Sequence, residues 1–175
     1  LKCDMKRIVL LAIAAIAFAA SSVAQKYALI DMEYILKNIP SYEMANEQLN
    51  QVSQRWQKEC DDKAAEAKTM YQNYQSDLVF LTEDMKVKRE EEIRDKETEV
   101  VELRRKYFGP EGELFKKRES LMKPIQDDIY NAIKKISEEK GYSMVIDRAS
   151  SPNIIFASPK IDISNEVLAK LGYSK

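Results

Sequence analysis

The sequence predicts a mainly α-helical protein with a small β body, from which a long antiparallel coiled-coil hairpin protrudes as an arm. Three observations lead to this fold class. An apolar stripe with spacings of mostly three and four residues runs through residues 45–81, as in a coiled-coil seam. A densely charged helical segment, residues 83–106, follows it. Short alternating segments typical of strands occur only near the two ends of the chain that follows residue 24.

The arm is assigned to residues 43–119. Ser41 is expected to cap a helix from Tyr42 to about Leu78, and Thr82 to cap the return helix after a chain reversal. A helix of this length extends roughly 54 Å at about 1.5 Å per residue, far beyond a compact body with a radius of gyration near ~15 Å. The hairpin must therefore protrude. Its first seam comprises Ala45, Leu49, Val52, Trp56, Cys60, Ala64, Ala67, Tyr71, Tyr74, Leu78 and Leu81.

The return helix has a thinner apolar stripe and is interrupted before it re-enters the body. Gly109 is expected to end it, Pro110 to occupy the first turn of a restarted helix, and Pro124 to kink that helix. Gly141 is expected to end the restarted helix, and Ser164 to cap a last short one. The thin stripe comprises Met85, Ile93, Val100, Leu103 and Tyr107.

Both ends of the chain after residue 24 are predicted to form the body, from residues 25–42 and 120–175. Strands are predicted at Lys26–Met32, Tyr142–Asp147 and Asn153–Ala157. So few short elements give a small core and leave strand edges open, and we expect a homo-oligomer assembled through those edges. The candidate oligomerisation residues are Leu29, Ile30, Met144, Val145, Ile146, Ile154, Ile155 and Phe156.

The first 24 residues have the features of a cleavable secretory signal with a short upstream extension. A basic segment at residues 5–7 leads into the uninterrupted apolar run Ile8–Ala20. Small residues then precede the expected cleavage site between Ala24 and Gln25. The run is shorter than the about twenty residues that a helix needs to cross a bilayer. We therefore expect an exported mature chain that works outside the cytoplasm.

Composition excludes several functional classes. The chain has 28 Lys and Arg against 29 Asp and Glu, so it offers no concentrated basic face, and we predict no nucleic-acid partner. It has no histidine and only four glycines, which removes the imidazole base, the imidazole ligand and the glycine-rich phosphate loop. We predict that the protein is not an enzyme and has no catalytic residue, no metal site and no cofactor.

Cys60 is the only cysteine that would remain after the signal, because Cys3 lies within it. No intramolecular disulfide is then possible. Since Cys60 lies on the apolar stripe, we interpret it as a small buried residue. The alternatives are an intermolecular bridge and a reactive thiol.

The densest apolar cluster of the arm lies where the chain reverses. Leu78 and Leu81 continue the seam, whereas Val79 and Phe80 fall off it. Two large apolar side chains exposed at a protruding tip indicate a contact surface. Methionine side chains nearby add adaptable apolar area. The candidate residues of this surface are Met70, Val79, Phe80 and Met85.

The order of these motifs resembles the OmpH/Skp family, in the form found in its Bacteroidetes branch. The resemblance is carried by the opening strand Lys26–Met32, the stretch Tyr107–Asp127, the closing strand Met144–Asp147 and the element Asp162–Leu168, and it covers nearly all of the chain after the signal. It implies a jellyfish-like homotrimer in which strands hold the bodies together and three arms enclose a cavity.

The resemblance also implies a function. Members of the family are periplasmic chaperones that hold unfolded outer-membrane β-barrel proteins without ATP and prevent their aggregation. Well-studied members are strongly basic, whereas this chain is slightly acidic, with a formal net charge of −1. No lipopolysaccharide or membrane site is therefore carried over to it. With this function, the exposed apolar residues of the tip named above are interpreted as client-binding residues; the alternative is that they only hold the two helices of the hairpin together.

A structural coiled coil, acting as a spacer or adaptor of the cell envelope, is the alternative function. The two readings differ at the tip, because a spacer has no need of Val79 and Phe80 outside the seam. An enzyme would require a turnover that depends on one particular acidic residue.

Overall fold

The computed structural model describes residues 25–173, so the predicted signal segment, with the cleavage expected at its end, lies outside the described residues. The prediction of a mainly helical chain with a small β component is confirmed. Within the part that the structure describes, no helix combines the length and the apolarity needed to cross a membrane. The elements are β1 (Lys26–Ile30), α1 (Met32–Lys37), α2 (Pro40–Asp77), α3 (Glu83–Phe108), α4 (Glu113–Lys140), β2 (Tyr142–Asp147), a 3-10 turn (Pro159–Ile161) and α5 (Ser164–Lys170).

The sheet consists of two parallel strands that come from opposite ends of the described chain. β1 pairs with β2 in a register that places Leu29 beside Ile146. Parallel strands cannot be joined by a tight turn, and the connection between these two contains α1 and the three long helices. The arm is therefore an insertion within the crossover between two paired strands.

The predicted third strand at Asn153–Ala157 is wrong, because these residues form no strand within the described chain. A single bridge between Leu29 and Asp162 lies beside β1 instead, and the Ile163 N–H donates to the Leu29 carbonyl at 2.9 Å. The strand was predicted because residues 153–157 include the apolar run Ile154–Phe156, whose residue types favour strands. Strand propensity is expressed only where a neighbouring strand accepts the main-chain hydrogen bonds, and this segment meets none in its own chain.

The hydrophobic core lies where the strands, α1, the start of α2, the second half of α4 and α5 meet. α4 crosses residue 119, the predicted boundary between arm and body, without a break, but its buried residues all lie from Ile125 onward. The helix continues on both sides of Pro124. The buried cluster comprises Ala28, Ile30, Ile35, Ile39, Ala45, Ile125, Ile129, Ala132, Ile136, Ile163, Val167 and Leu168.

One predicted helix cap is confirmed and two are wrong. The Thr82 hydroxyl accepts a main-chain N–H of the first turn of α3 at 3.4 Å. Ser41 does not cap α2, which begins at Pro40, a residue whose missing N–H suits the first turn. Ser164 is the first residue of α5 rather than its cap. Its hydroxyl accepts the Asp31 N–H at 2.8 Å and so fastens α5 to the end of β1.

The seam between α2 and α3 is narrow and follows the prediction except at two residues, Tyr71 and Met85, which are both 50% exposed. Tyr74 is buried at the level of Tyr71, and three residues turn a helix by about 300°, so Tyr71 lies beside the seam. The buried seam residues are Ala45, Leu49, Cys60, Ala67 and Tyr74 on α2, with Ile93, Val100 and Tyr107 on α3.

The interruption between α3 and α4 is a tight turn built on two glycines. A Cβ atom at Gly109 would lie 2.4 Å from the Arg105 carbonyl oxygen, and one at Gly112 would lie 2.8 Å from the Tyr107 carbonyl oxygen. Both positions therefore exclude larger residues. The prediction that Pro110 opens the next helix is wrong, because α4 begins only at residue 113. Further on, Gly141 ends α4 as predicted, in the left-handed conformation with φ 70°.

A polar network ties the carboxyl ends of the two strands together. Asp147 Oδ1 accepts the Met32 N–H at 3.0 Å and the Ala149 N–H at 3.1 Å. Burial raises the pKa of Asp147, but these hydrogen bonds and those from Ser150 outweigh it and hold the pKa below its ordinary value. The ionised carboxylate thus fixes the start of α1 to the end of β2.

This network predicts an acid-dependent contribution to stability. A carboxylate whose pKa is depressed by folding stabilises the fold above its unfolded pKa of about 3.9, and the contribution is lost as pH falls through the folded value. Asp147→Asn retains an acceptor but loses the charge, so we expect it to be less stable than wild type by about 1 kcal/mol near neutral pH. Urea unfolding across a pH series measures the difference, which should shrink toward zero in acid. A difference that is independent of pH would contradict the assignment.

Candidate functional site: the arm tip and the open edge of the body

The arm tip presents two large apolar side chains to solvent. α2 ends at Asp77, and the chain turns through Leu78, Val79 and Phe80, with the Phe80 N–H donating to the Asp77 carbonyl at 2.8 Å. Val79 is 87% exposed and Phe80 is 84% exposed. Leu78 and Leu81, by contrast, are half-buried, as expected for residues that close the seam. The tip is therefore a structured turn that displays apolar area.

The two methionines that were grouped with the tip occupy different environments. Met85 lies in the first turn of α3 and is 50% exposed. Met70 is half-buried and lies seven residues before the end of α2, about 10.5 Å along the helix axis. The structure thus places Met85 next to the turn in sequence and Met70 lower on the arm.

A partly buried hydrogen bond holds the two helices together just below the tip. The Tyr74 hydroxyl donates to Glu90 Oε1 at 2.5 Å. This hydrogen bond, together with burial, raises the pKa of Tyr74 to about 12. The phenol therefore stays protonated at physiological pH and links α2 to α3.

Charges fix the middle of the arm on one side of the seam. Lys63 lies 3.5 Å from Glu99, and Lys96 lies 3.4 Å from Glu66, so two ion pairs cross between α2 and α3. Each lysine also pairs with an acid on its own helix. Exposed pairs are individually weak, but these four groups form a network that favours one alignment of the two helices.

Aromatic stacking fixes the arm close to the glycine turn. The rings of Trp56 and Tyr107 are parallel within 4°, with centroids 4.8 Å apart. The Tyr107 hydroxyl donates to Glu59 Oε2 at 2.9 Å. Trp56 therefore packs within the hairpin, as its position on the stripe predicted. Cys60, one turn further along α2, is fully buried, and burial raises the pKa of its thiol, which favours a structural role over a reactive one.

The body has an open strand edge and an exposed apolar segment. The edge of β2 that faces away from β1 pairs with no strand among residues 25–173. Met144 on β2 is 54% exposed. Ile155 and Phe156, in the irregular segment after β2, are 100% and 85% exposed. These three side chains are exposed in the single chain and are available for contact with another chain.

The other candidate oligomerisation residues are buried or half-buried within the single chain. Leu29 and Ile30 are buried, and Leu29 already has β2 on one side and the bridge to Asp162 on the other. Val145, Ile146 and Ile154 are half-buried. The structure therefore separates the predicted group into residues of the core and residues of the surface.

Sequence reasoning overlooked a row of exposed apolar residues on α3. Val87, Val101 and Phe108 are 56%, 65% and 37% exposed. Val101 and Phe108 directly follow the seam residues Val100 and Tyr107, and Val87 lies fourteen residues before Val101, so the sequence signal is a repeat of seven residues offset by one from the seam. No group of three or more acidic or cysteine side chains among the described residues is arranged to hold a metal ion.

Comparison with known proteins gives the family. A family model described as outer membrane protein (OmpH-like) matches residues 26–171. The chain is 26% identical over 157 residues to the chaperone protein Skp of Vibrio cholerae serotype O1, a match that covers 85% of each protein. A solved structure from Caulobacter crescentus CB15, described as an OmpH-like outer membrane chaperone, superposes with a TM-score of 0.68 at 11% identity and covers 86% of each chain.

The family match extends over nearly all of the described residues, and the chain belongs to the OmpH-like family, as the resemblance predicted. The family is one of chaperones rather than of enzymes. The similarity to the Caulobacter protein confirms the fold with its long helices and small sheet.

The Tyr74–Glu90 bond predicts a loss of arm stability at alkaline pH. The pKa of Tyr74 in the folded arm is about 12, above its value of 10.0 in an unperturbed tyrosine, so its stabilising contribution is complete below pH 10.0 and is lost as pH rises through the folded pKa. In an absorbance titration, Tyr74→Phe should remove the most alkaline tyrosine step. Tyr71→Phe removes a half-exposed tyrosine of the same helix and serves as the control, which should leave that step in place. Retention of the step in Tyr74→Phe would disprove the assignment.

Proposed function

We propose that this protein is an ATP-independent holdase of the periplasm that binds unfolded outer-membrane β-barrel proteins and prevents their aggregation. Its membership of a chaperone family supports the general activity. The observation that supports binding of unfolded proteins in particular is the exposure of Val79 and Phe80, at 87% and 84%, on the tip of an arm that extends from the body.

The chemistry of the tip suits a client that has no fixed shape. An unfolded β-barrel chain exposes alternating apolar side chains and unpaired main-chain groups, which aggregate when such chains meet. Covering one large apolar side chain contributes roughly 1.5–3 kcal/mol. One tip therefore binds weakly and releases its client without an energy source, and several tips acting on one client bind more strongly through effective concentration.

The proposal includes assembly of three protomers through their bodies. The unpaired edge of β2 and the exposed side chains of Ile155 and Phe156 support it, since both are features that soluble proteins usually cover. In such an assembly the three arms project from one body and reach the same client. The candidate residues on the surface of the body are Met144, Ile155 and Phe156.

Export and charge complete the proposed function. Removal of residues 1–24 would release the mature chain into the periplasm, where outer-membrane proteins travel unfolded. Positive and negative charges alternate along the arm, with ion pairs between and within its helices. We propose no lipopolysaccharide or membrane contact, because the 28 basic residues of the chain are balanced by 29 acidic ones and the net charge is slightly negative.

We expect the double substitution Val79→Ser/Phe80→Ser to weaken the suppression of aggregation about tenfold or more, because it removes the apolar area of each tip. The assay follows light scattering when a urea-unfolded outer-membrane β-barrel protein is diluted into buffer that contains the chaperone. Since both side chains point into solvent, helicity should not change.

The matched control is Val87→Ser/Val101→Ser, which removes exposed apolar side chains from the same arm away from its tip. It should retain most of the wild-type activity. Equal losses in the two double variants would assign client binding to the arm as a whole. A wild-type protein that never suppresses aggregation would favour the alternative of a structural spacer.

Assembly is tested separately with Ile155→Ser/Phe156→Ser. We expect wild type to have the mass of three protomers in sedimentation equilibrium, and the double variant to dissociate because it loses apolar contacts between bodies. The protomer should remain folded, since these side chains are 100% and 85% exposed within it. Tyr130→Ser changes an exposed aromatic residue of α4 and is the control, which should remain assembled. A wild-type monomer would contradict this part of the proposal.

A further inference from the structure

Residues 46–57, in the first half of α2, differ in composition from the middle of the arm. Residues 46–57 contain seven amide or hydroxyl side chains and only two charged ones, Glu47 and Arg55. Charges dominate residues 58–68 and 83–106 of the hairpin, whereas residues 69–82, before and at the tip, contain a single charged residue. A solvent-facing surface of a coiled coil needs no such change, because charges serve there equally well. The amide-rich segment therefore calls for an explanation other than solubility.

Part of this segment lines a cleft where the arm joins the body. The cleft has a volume of about 590 Å³ and lies between α2 and α4. Asn46, Asn50 and Ser53 line it at spacings of four and three residues, which places them on one face of α2. Gln126 lines the opposite side, on α4. The cleft is thus bordered on both sides by uncharged groups that form hydrogen bonds.

The floor of the cleft is apolar. Leu36 of α1, Leu49 of α2 and Met122 of α4 contribute to its lining. Leu49 is buried, and the other two are half-buried. An apolar floor between two polar borders accommodates a chain whose side chains point inward while its main-chain groups face the borders.

Several polar groups that line the cleft form no hydrogen bond with another described residue. Outside the cleft, Gln51 donates to Glu47 at 2.8 Å and Gln57 donates to Asp61 at 2.9 Å. Inside it, Asn50 Oδ1 accepts from Gln54 at 3.3 Å while its NH₂ group donates to no described residue, and the exposed side chains of Asn46 and Gln126 form no hydrogen bond with another described residue.

The hydroxyl of Ser53 shows the same contrast. The hydroxyls of Thr69, Thr98 and Ser137, on the three long helices, each donate to a carbonyl of the preceding turn at 2.8–2.9 Å. That of Ser53 makes no such bond among the described residues. Donors and acceptors on both borders of the cleft are therefore available to a ligand.

One charged residue gives the cleft a preference for acidic ligands. Arg118 of α4 is the only charged side chain in the lining, and it forms no ion pair within residues 25–173. Neighbouring Lys116, which does not line the cleft, is paired with Glu113 at 3.1 Å. A free guanidinium beside a row of amides favours a ligand that carries a carboxylate.

We propose that this cleft binds a short extended segment of an acidic, unfolded polypeptide through its main chain, a proposal that rests on the holdase function. Asn46, Asn50, Ser53 and Gln126 bind main-chain N–H and C=O groups, and Arg118 binds an acidic side chain of the same segment. An amide group both donates and accepts, so it recognises any extended main chain regardless of sequence. The cleft thereby shields the main-chain groups through which unfolded β-chains pair and aggregate.

The dimensions of the border fit such a segment. The seven helical steps from Asn46 to Ser53 cover about 10.5 Å along α2, which corresponds to roughly three residues of an extended chain at about 3.4 Å each. Each cleft therefore contacts few residues and binds weakly by itself. It lies at the base of the arm, far from the apolar tip, so that one client can contact both ends of an arm.

The experiment uses fluorescence polarisation with a labelled synthetic peptide of alternating valine and glutamate. Two analogues isolate the interactions. One is N-methylated at alternate residues, which removes main-chain donors and keeps every side chain, and the other has glutamine in place of glutamate. We expect the first to bind at least about tenfold more weakly than the parent peptide, because several hydrogen bonds are lost. The second should bind less tightly than the parent, and Arg118→Gln should remove that difference.

The protein variants locate the site. Asn46→Ala/Asn50→Ala/Ser53→Ala should weaken binding of the parent peptide at least about tenfold and lose the discrimination against the N-methylated analogue. Gln48→Ala/Gln51→Ala, on the same part of α2 outside the cleft, is the matched control and should bind as wild type does. Alanine favours helix, so circular dichroism should show full helicity in both.

Equal binding of the parent and N-methylated peptides, or equal losses in the cleft and control variants, would overturn the inference. These outcomes are distinguishable from failure of the proposed function. A wild-type protein that suppresses aggregation while its cleft variant binds the peptide normally disproves the cleft alone. A wild-type protein that neither suppresses aggregation nor binds the peptide disproves both.

Discussion

The rest of the structure depends on the parallel pairing of β1 with β2. This pairing joins two segments that lie at opposite ends of the described chain, and it requires a long crossover connection. In most parallel pairs a single helix fills that connection. Here α1, the hairpin and α4 fill it, and only the residues close to the strands reach the core. Because both ends of the inserted segment are fixed side by side at the sheet, the hairpin has to leave and return at the same place.

The arm is held by a different balance of forces from the body. Its seam contains small residues such as Cys60 and Ala67, so each turn of the hairpin buries little apolar area. Alignment relies on directional contacts spaced along it: the Trp56–Tyr107 stack, the ion-pair network of the middle, and the hydrogen bond from Tyr74 to Glu90. A narrow seam leaves most of the helix surface for solvent and for partners. This suits an arm whose outer surface, rather than its interior, makes contacts.

Much of the fold could be predicted from the sequence because its long helices carry strong, repeated signals. The seam of α2, the reversal capped by Thr82 and the left-handed Gly141 all depend on neighbours close in the chain. The parallel orientation of the strands could not be read from periodicity, since alternation is the same in both orientations. The apolar run at 153–157 was wrongly predicted as a strand for a related reason. A strand forms only where a second segment pairs with it, and the local sequence pattern does not show whether such a partner exists.

The candidate sites were predictable to different degrees. Val79 and Phe80 stood out because they broke a regular stripe, and the structure places both in solvent. The cleft at the base of the arm could not be predicted, because it joins α2 to Gln126 and Arg118, about seventy residues further along the chain. The abundance of amides in residues 46–57 was visible, but which of them line the cleft depends on where α4 lies against α2.

The glycine turn between α3 and α4 also affects the order in which the molecule forms. The α2–α3 hairpin depends on contacts between segments that are near in sequence, so it closes without large loss of chain entropy. β2 is synthesised after the hairpin and α4, which precede it in the chain. Once the hairpin has formed, the turn at Gly109 and Gly112 directs α4 along α2. The end of α4, and with it β2, then lies close to β1. The arm thus acts during biogenesis as an internal template that brings the two ends of its own chain together.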